Sequence, residues 1–301
     1  MTNQSSDLST DKRKQQLLTI FDAAVAAVSG QQAVEHAIDN DSAFEPDTII
    51  AVGKAAVGMA RGALNRFPNA KQAFVVTKYD HADDDILSRQ NVTVLETSHP
   101  VPDLQSLKAG AELRSLVQGL AADSRLLLLV SGGASALSES LPDGMSLEDL
   151  QAITDEMLST GKTIGEINSK RKEFSQIKDG KLVKEFNGTE IRVYAISDVE
   201  GDSISVIGSG LGDCHRAQVK ANSTIIASNQ ISRTEAEATA ASLGLSIKLS
   251  EETLYGDVFD IAKKIGGILK SAEPGVYIWG GEPTIILPDN PGQGGRNQSL
   301  A

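Results

Sequence analysis

Residues 125–137 read RLLLLVSGGASAL, an aliphatic run that passes directly into a turn of small residues. The run shows no alternation of apolar and polar side chains, which is typical of a central parallel strand covered on both faces. The run TIIAVG at 48–53 is similar and leads into a helical pattern at 54–66. Repeated strand–helix order predicts a parallel sheet with right-handed crossovers. The first half of the chain is therefore expected to be a doubly wound α/β domain.

The remaining elements follow from hydrophobic periodicity. After a disordered lead at 1–10, an amphipathic helix is predicted at 11–28, with Gly30 ending it. The other predicted strands are 73–77, 92–96, 191–197, 224–228, 276–280 and 284–287, and the other predicted helices are 104–121, 146–161, 165–186, 230–243 and 256–271. A polar stretch near 210–222 favours a boundary there, between a first domain at 11–210 and a second at 223–301.

Composition narrows the class of function. The 301 residues carry a formal net charge of −12, which disfavours binding to nucleic acid or to anionic membrane surfaces. No stretch approaches the roughly 20 apolar residues that a membrane-spanning helix needs. The polar N-terminus lacks the apolar segment of a secretory signal, and the single cysteine, Cys214, allows no internal disulfide. These features favour a cytoplasmic enzyme or binding protein with a small-molecule ligand.

Charged residues and glycines follow several predicted strands. In open α/β sheets, ligands bind beyond the carboxyl ends of the strands. The residues at these positions are Lys54; the turn Ser131, Gly132, Gly133, Ala134 and Ser135; Asp198 and Asp202; Gly281 and Glu282; and Arg296 after a glycine-rich run. Backbone donors, two cations and several carboxylates are the groups that phosphoryl transfer requires. The pattern therefore favours a phosphate-handling site.

Each of these features also has a purely structural interpretation. Lys54 and Arg296 are compatible with solvated surface cations, the 131–135 turn with tight packing, and the acidic residues with turns and helix caps. His99 lies between a predicted strand and two prolines, in SHPVP, where the loop would hold its imidazole rigidly. GKT at 161–163 lacks the first glycine of a phosphate-binding P-loop, and no G-x-G-x-x-G follows the first strand. The inference rests on the joint placement of the residues after strands.

Longer segments resemble a known family. They are VGKAAVGMA (52–60), SHPVPD (98–103), LVSGGASAL (129–137), INSKRKEFSQIKDGKL (167–182), ISDVEGDSISVIGSG (196–210), GGEPTIILP (280–288) and GQGGRNQSLA (292–301). In this order and spacing the sequence is similar to the type-2 glycerate kinases, whose C-terminal part is called the MOFRL domain. The resemblance runs from about residue 15 to the last residue.

The resemblance implies ATP-dependent phosphorylation of the 2-hydroxyl of D-glycerate, with ATP and Mg²⁺ as cofactors. It implies a Rossmann-like N-terminal domain, a smaller α/β domain and a site between them. The family's functional lysine, aspartate and arginine fall on Lys54, Asp198 and Arg296. The nucleotide phosphates would lie on Ser131–Ser135, Gly281 and Glu282, the glycerate on Asn168, Arg171, Lys172 and His99, and the metal on Asp198 and Asp202.

The sequence also departs from the family pattern. Leu211 stands where the family usually has proline, the 211–222 connection is short, and the usual remainder of the C-terminal domain is absent after Ala301. We therefore expect an incomplete second domain, and exposed apolar surface that favours poor solubility or a homodimer. Two alternatives stay open: a hydroxypyruvate reductase, a name that homologues often carry, and an inactive truncated protein that binds nucleotide or glycerate.

Overall fold

The computed structural model describes residues 3–41, 43–160, 164–286 and 294–301. The chain divides into two compact units. The first, here called the sheet unit, is Ser29–Ala227, and the second, the terminal unit, combines Met1–Val28 with Ser228–Ala301. The sequence predicts a boundary near 210–222 and places residues 11–28 in the first domain. In the structure the boundary falls later, and the first helix belongs to the terminal unit.

Ten strands lie within the described ranges. They are β1 (Thr48–Val52), β2 (Gln72–Lys78), β3 (Val92–Thr97), β4 (Arg125–Val130), β5 (Glu190–Ile196), β6 (Lys220–Ala227), β7 (Ile247–Glu252), β8 (Gly256–Asp257), β9 (Val276–Gly280) and β10 (Pro283–Thr284).

The same ranges contain twelve α-helices and two 3-10 turns. The helices are α1 (Asn3–Ala27), α2 (Gly30–Asp39), α3 (Ala56–Arg66), α4 (Asp84–Leu87), α5 (Leu104–Gly119), α6 (Ala134–Leu137), α7 (Leu147–Ser159), α8 (Ile164–Phe174), α9 (Lys181–Lys184), α10 (Asn229–Ser242), α11 (Val258–Lys270) and α12 (Arg296–Leu300). The 3-10 turns are Ile207–Gly210 and Cys214–Arg216.

The sheet unit is built on a six-stranded parallel sheet in the order β3-β2-β1-β4-β5-β6. This is the order of a Rossmann-type doubly wound sheet, so the predicted fold class is confirmed. The chain leaves β1 towards β2 on one side and later returns to add β4 on the other side. The reversal between β1 and β4 is the topological switch point, where such folds bind their ligands.

Successive side chains of β4 point to opposite faces of the sheet and pack in different hydrophobic cores. Leu126, Leu128 and Val130 pack with α5 and the 177–186 segment on one face, whereas Leu127 and Leu129 pack with α2 and α3 on the other. All five side chains are buried. Helices on both faces explain why β4 has no polar side chain between Leu126 and Val130.

The predicted disordered lead at 1–10 is wrong for residues 3–10, because they form the first turns of α1. Two further predicted helical boundaries differ from the structure. The predicted helix at 165–186 ends at Phe174, because Ser175 Oγ accepts the N–H groups of Ile177 and Lys178 and closes a local turn. Gly30 does not end the chain's helical region but begins α2, for which Ser29 is the N-cap. A Cβ at Gly30 would lie 3.2 Å from atoms of Ala55 and Met59, so this glycine lets α2 approach α3 closely.

The terminal unit joins the two ends of the described chain. Helix α1 packs on α10 through Ile20, Ala24, Ala236 and Ala240, in a small core that also contains Val276. β7 pairs with β9, and β8 with β10, each as a two-stranded parallel ladder. The predicted strand at 284–287 is mostly wrong: only Thr284 lies in a strand, β10, whereas Ile285 and Ile286 are irregular. Leu287 lies outside the described residues.

No single helix within the described residues has the length and hydropathy to cross a bilayer. Thr10–Ala27 together with Gly30–Asp39 meets those two criteria as a bent pair.

Candidate active site

The switch point of the sheet unit places the ends of β1 and β4 side by side. Val52 pairs with Val130, so the next residues of both strands are level with each other. The N–H of Lys54 donates to the carbonyl of Gly132 at 2.9 Å, and the N–H of Ala55 donates to Ser131 Oγ at 3.1 Å. The Ser131 hydroxyl is thus buried and engaged within the protein, so this residue would meet a ligand only through its backbone.

Gly53 makes this close approach of the two loops possible. Its φ is +135°, a conformation that residues with a side chain rarely adopt. A Cβ at this position would also overlap Ser131, whose carbonyl oxygen would lie 2.7 Å away. Gly53 therefore lets the two loops lie against each other, and the side chain of the next residue, Lys54, is accessible to solvent.

Lys54 and Asp198 come together beside the glycine turn. Lys54 Nζ lies 4.0 Å from Asp198 Oδ2, and the two side chains are 44% and 39% exposed. The Asp198 carboxylate packs directly against the Cα of Gly132, so closely that a Cβ at position 132 would overlap Oδ2. Two residues that are 144 positions apart in the sequence thus form one solvent-accessible pair of opposite charges.

His99 borders the same turn from the loop after β3. A Cβ at Gly133 would lie 3.0 Å from Cδ2 of His99 and 3.1 Å from Cγ of Lys54. Burial, reinforced by the positive charge of Lys54, holds the pKa of His99 below its ordinary value. The imidazole is therefore neutral at pH 7 and can donate or accept a hydrogen bond.

The end of the turn is held by a residue that sequence analysis missed. Ser209 Oγ donates to Ser135 Oγ at 2.9 Å. Ser209 has a φ of +57° and lies between Gly208 and Gly210, which also have positive φ. The G-S-G tripeptide is the signal that could have indicated this left-handed loop, since glycines cluster where the chain must turn this way.

Three of the four predicted glycerate-binding residues, Asn168, Arg171 and Lys172, lie on α8. Lys172 Nζ donates to the carbonyl of Ser205 at 2.7 Å, which ties α8 to the loop that follows Asp202. Arg171 Nε is buried and has no hydrogen-bond partner among the described residues. Asn168 lies on the same helix, but its side chain is outside the described part of the structure.

Arg296 lies in the terminal unit, at the start of α12. One of its guanidinium nitrogens donates to Glu282 Oε1 at 2.6 Å, and another donates to the carbonyl of Pro283 at 2.8 Å. Glu282 therefore orients the arginine, and Arg296 and Glu282 remain 42% and 47% exposed. Gly281, immediately before Glu282 in the sequence, has a φ of +133°. Gly280, the residue before Gly281, packs against the side chain of Asn229.

The residues described here contain no cluster of three or more histidine, cysteine or carboxylate side chains that could form a metal cage. Asp198 and Asp202 follow β5, and Asp202 adopts a left-handed conformation with a φ of +50°. One or two carboxylates are the usual protein share of a Mg²⁺ site when substrate phosphates supply the other ligands.

Comparison with known proteins places this chain in a family. Residues 16–243 match the family described as "Domain of unknown function (DUF4147)". The chain is 33% identical to the glycerate 2-kinase of Pyrococcus horikoshii, over 84% of this chain and 67% of that protein. The chain belongs to the type-2 glycerate kinase family.

Other members of the type-2 glycerate kinase family agree in fold and differ in name. The crystal structure of the glycerate kinase from Thermotoga maritima superposes with a TM-score of 0.84 at 27% identity, covering 96% of this chain and 78% of that one. A relative in Agrobacterium vitis, 32% identical over 94% of this chain and 74% of its own, carries a provisional hydroxypyruvate reductase name. Some relatives are therefore named as kinases and others as reductases.

Proposed function

We propose that this member of the type-2 glycerate kinase family transfers the γ-phosphoryl group of ATP to the 2-hydroxyl of D-glycerate, giving 2-phospho-D-glycerate and ADP. The observation that supports it most is the placement of Lys54 beside Asp198 on the glycine turn at the switch point. A cation, a carboxylate and a turn of small residues meet there, and phosphoryl transfer is mostly positioning and charge neutralisation. The two glycerate kinase relatives support the substrate.

In the proposed step, Asp198 accepts the proton of the 2-hydroxyl while that oxygen forms a bond to the γ-phosphorus. The bond from the γ-phosphorus to the bridging oxygen of ATP breaks, and ADP leaves. Lys54 compensates the negative charge on the transferring group, and the backbone of Ser131–Ser135 holds the phosphates. Arg296, oriented by Glu282, binds a phosphate group through its planar guanidinium.

We assign the glycerate carboxylate to the basic residues of α8. Arg171 has a buried Nε without a partner among the described residues, and an anion would satisfy it. Lys172 uses one of its three donors on Ser205, so two remain for the substrate together with Asn168. The neutral imidazole of His99, beside Gly133, is suited to a hydrogen bond with a hydroxyl of glycerate.

Mg²⁺ fits this site as a companion of the nucleotide. Asp198 and Asp202 would hold it, and the described residues offer no larger ligand cluster. When bound with ATP, Mg²⁺ neutralises charge on the phosphate oxygens. The cytoplasmic location and a homodimer stay predictions from the sequence.

Glycerate-dependent release of ADP tests the proposal against its alternatives. With ATP, Mg²⁺ and D-glycerate, we expect ADP to form at a rate that requires glycerate. In a parallel reaction with NADH and hydroxypyruvate, we expect no oxidation of NADH. NADH oxidation without ADP release would favour the reductase. Calorimetric binding of ATP without turnover in either reaction would favour an inactive binding protein.

A further inference from the structure

Glu139 and Lys178 form an ion pair in the interior of the sheet unit. Their side chains are 0% and 1% exposed, and Lys178 Nζ donates to Glu139 Oε2. The other carboxylate oxygen, Oε1, accepts the N–H of Ser140 at 3.0 Å. Burial lowers the pKa of Lys178, with a further contribution from the charge of Arg171, and the facing carboxylate opposes both. None of the proposed catalytic steps uses this pair.

One partner of the pair is linked through the chain to the glycine turn. Glu139 lies two residues after the end of α6 at Leu137, and α6 begins at Ala134 within the 131–135 turn. The N–H of Glu139 also donates to the carbonyl of Ser106 at 3.0 Å, and a Cβ at Gly110 would overlap the Glu139 backbone. The position of the Glu139 carboxylate is therefore fixed relative to the end of the turn.

The other partner is linked to the loop that holds Ser135. The residues after Lys178 donate backbone hydrogen bonds to this loop, Asp179 N–H to the carbonyl of Ser209 at 3.0 Å and Gly180 N–H to that of Gly210 at 2.8 Å. Asp179 and Ser209 both have a φ of +57°, a conformation that persists only where the surroundings impose it. Ser209 Oγ then donates to Ser135 Oγ, which closes a ring of contacts back to the turn.

We propose that the Glu139–Lys178 ion pair is a positioning element of the active site, which fixes the 131–135 turn through the Asp179–Ser209–Ser135 hydrogen bonds. This inference rests on the proposed function, in which that turn holds the phosphates of ATP. A buried ion pair is seldom needed for stability, because apolar residues of similar size often serve as well. The ion pair contributes to geometry here, because the ammonium and the carboxylate fix the relative position of two loops that each contact the turn.

The double variant K178M/E139Q separates positioning from stability. Methionine keeps the volume of the lysine stem, and glutamine keeps the acceptor for the N–H of Ser140, so no buried charge is left without its partner. We expect a cooperative thermal transition close to that of the wild type. We also expect at least tenfold faster hydrogen exchange of the 131–137 and 205–210 amides, and a kcat/KM for ATP that is lower by about 10- to 100-fold.

E190Q is the matched control. Glu190 pairs with Arg192 at 3.0 Å at the start of β5, the opposite end of the sheet from Asp198. This variant is expected to leave exchange at 131–137 and kcat/KM unchanged. A folded double variant with wild-type exchange and wild-type kcat/KM would overturn the proposal.

S209A provides a second test that removes no buried charge. It deletes only the last hydrogen bond of the ring, and we expect the same changes at 131–137 with smaller amplitude. If the double variant fails to fold, unchanged exchange in S209A overturns the proposal. The exchange measurement needs no turnover, so an inactive wild-type protein would count against the kinase and not against the positioning role.

Discussion

Asp198→Asn is expected to lower kcat for glycerate phosphorylation by about 10²- to 10⁴-fold, the usual contribution of a general base. Asparagine keeps the shape of the side chain against Gly132 but cannot accept the proton of the 2-hydroxyl. Asp198 is 39% exposed, so we expect the melting temperature to stay close to that of the wild type. Steady-state kinetics with saturating ATP and glycerate would measure the loss.

Glu200→Gln is the control for this variant. Glu200 is an exposed carboxylate two residues further along the same loop, and its neutralisation should leave kcat unchanged. If Asp198→Asn retained wild-type kcat, Asp198 would not be the base.

Gly132→Ala probes the same carboxylate from the other side. A Cβ at Gly132 would occupy the place of Asp198 Oδ2, so the carboxylate must move. We expect kcat to fall while Asp198 itself is intact, with about 100-fold as the scale for a displacement of 1 Å. A fully active Gly132→Ala protein would show that this position of the carboxylate is not the reactive one.

Lys54→Ala is the second substitution with a large expected effect. The ammonium lies at the mouth of the switch point, 4.0 Å from Asp198, where it can compensate charge that develops on the transferred phosphoryl group. We expect kcat to fall by about 10²- to 10³-fold, on the scale observed when one transition-state donor is removed. KM for glycerate should change much less, because the lysine acts mainly in the transition state.

Lys71→Ala is the matched control for the lysine. Lys71 is 75% exposed and pairs with Asp47 just before β1, at the opposite end of that strand. It should retain wild-type kinetics. A Lys54→Ala protein with normal turnover would remove Lys54 from the mechanism, whereas a loss confined to KM would make it a binding residue only.

The sequence allowed the sheet and its switch point to be predicted because local patterns carry that information. An aliphatic run without alternation can be accommodated only where both faces are covered, and β4 is such a strand. Adjacent parallel strands end at one edge, so Lys54, the 131–135 turn and Asp198 could be expected to lie close together. The structure confirms this proximity for the sheet unit.

Other features depend on contacts that no local pattern contains. Helix α1 packs on α10 through alanines about 210 positions away, and alanine also occurs on exposed helical faces. The 165–186 segment has helical periodicity, but the Ser175 side chain ends α8 by capping the following backbone. The link from Ser135 to Ser209 requires left-handed residues whose partners are set by the tertiary fold.

The position of the new phosphate ester tests the central claim most directly. After incubation with ATP, Mg²⁺ and D-glycerate, the product can be offered to enolase alone, which dehydrates 2-phosphoglycerate but not 3-phosphoglycerate. The account predicts immediate formation of phosphoenolpyruvate by the wild-type protein and almost none by Lys54→Ala. Product that enolase consumes only after a phosphoglycerate mutase is added, or no phosphorylated product at all, would contradict it.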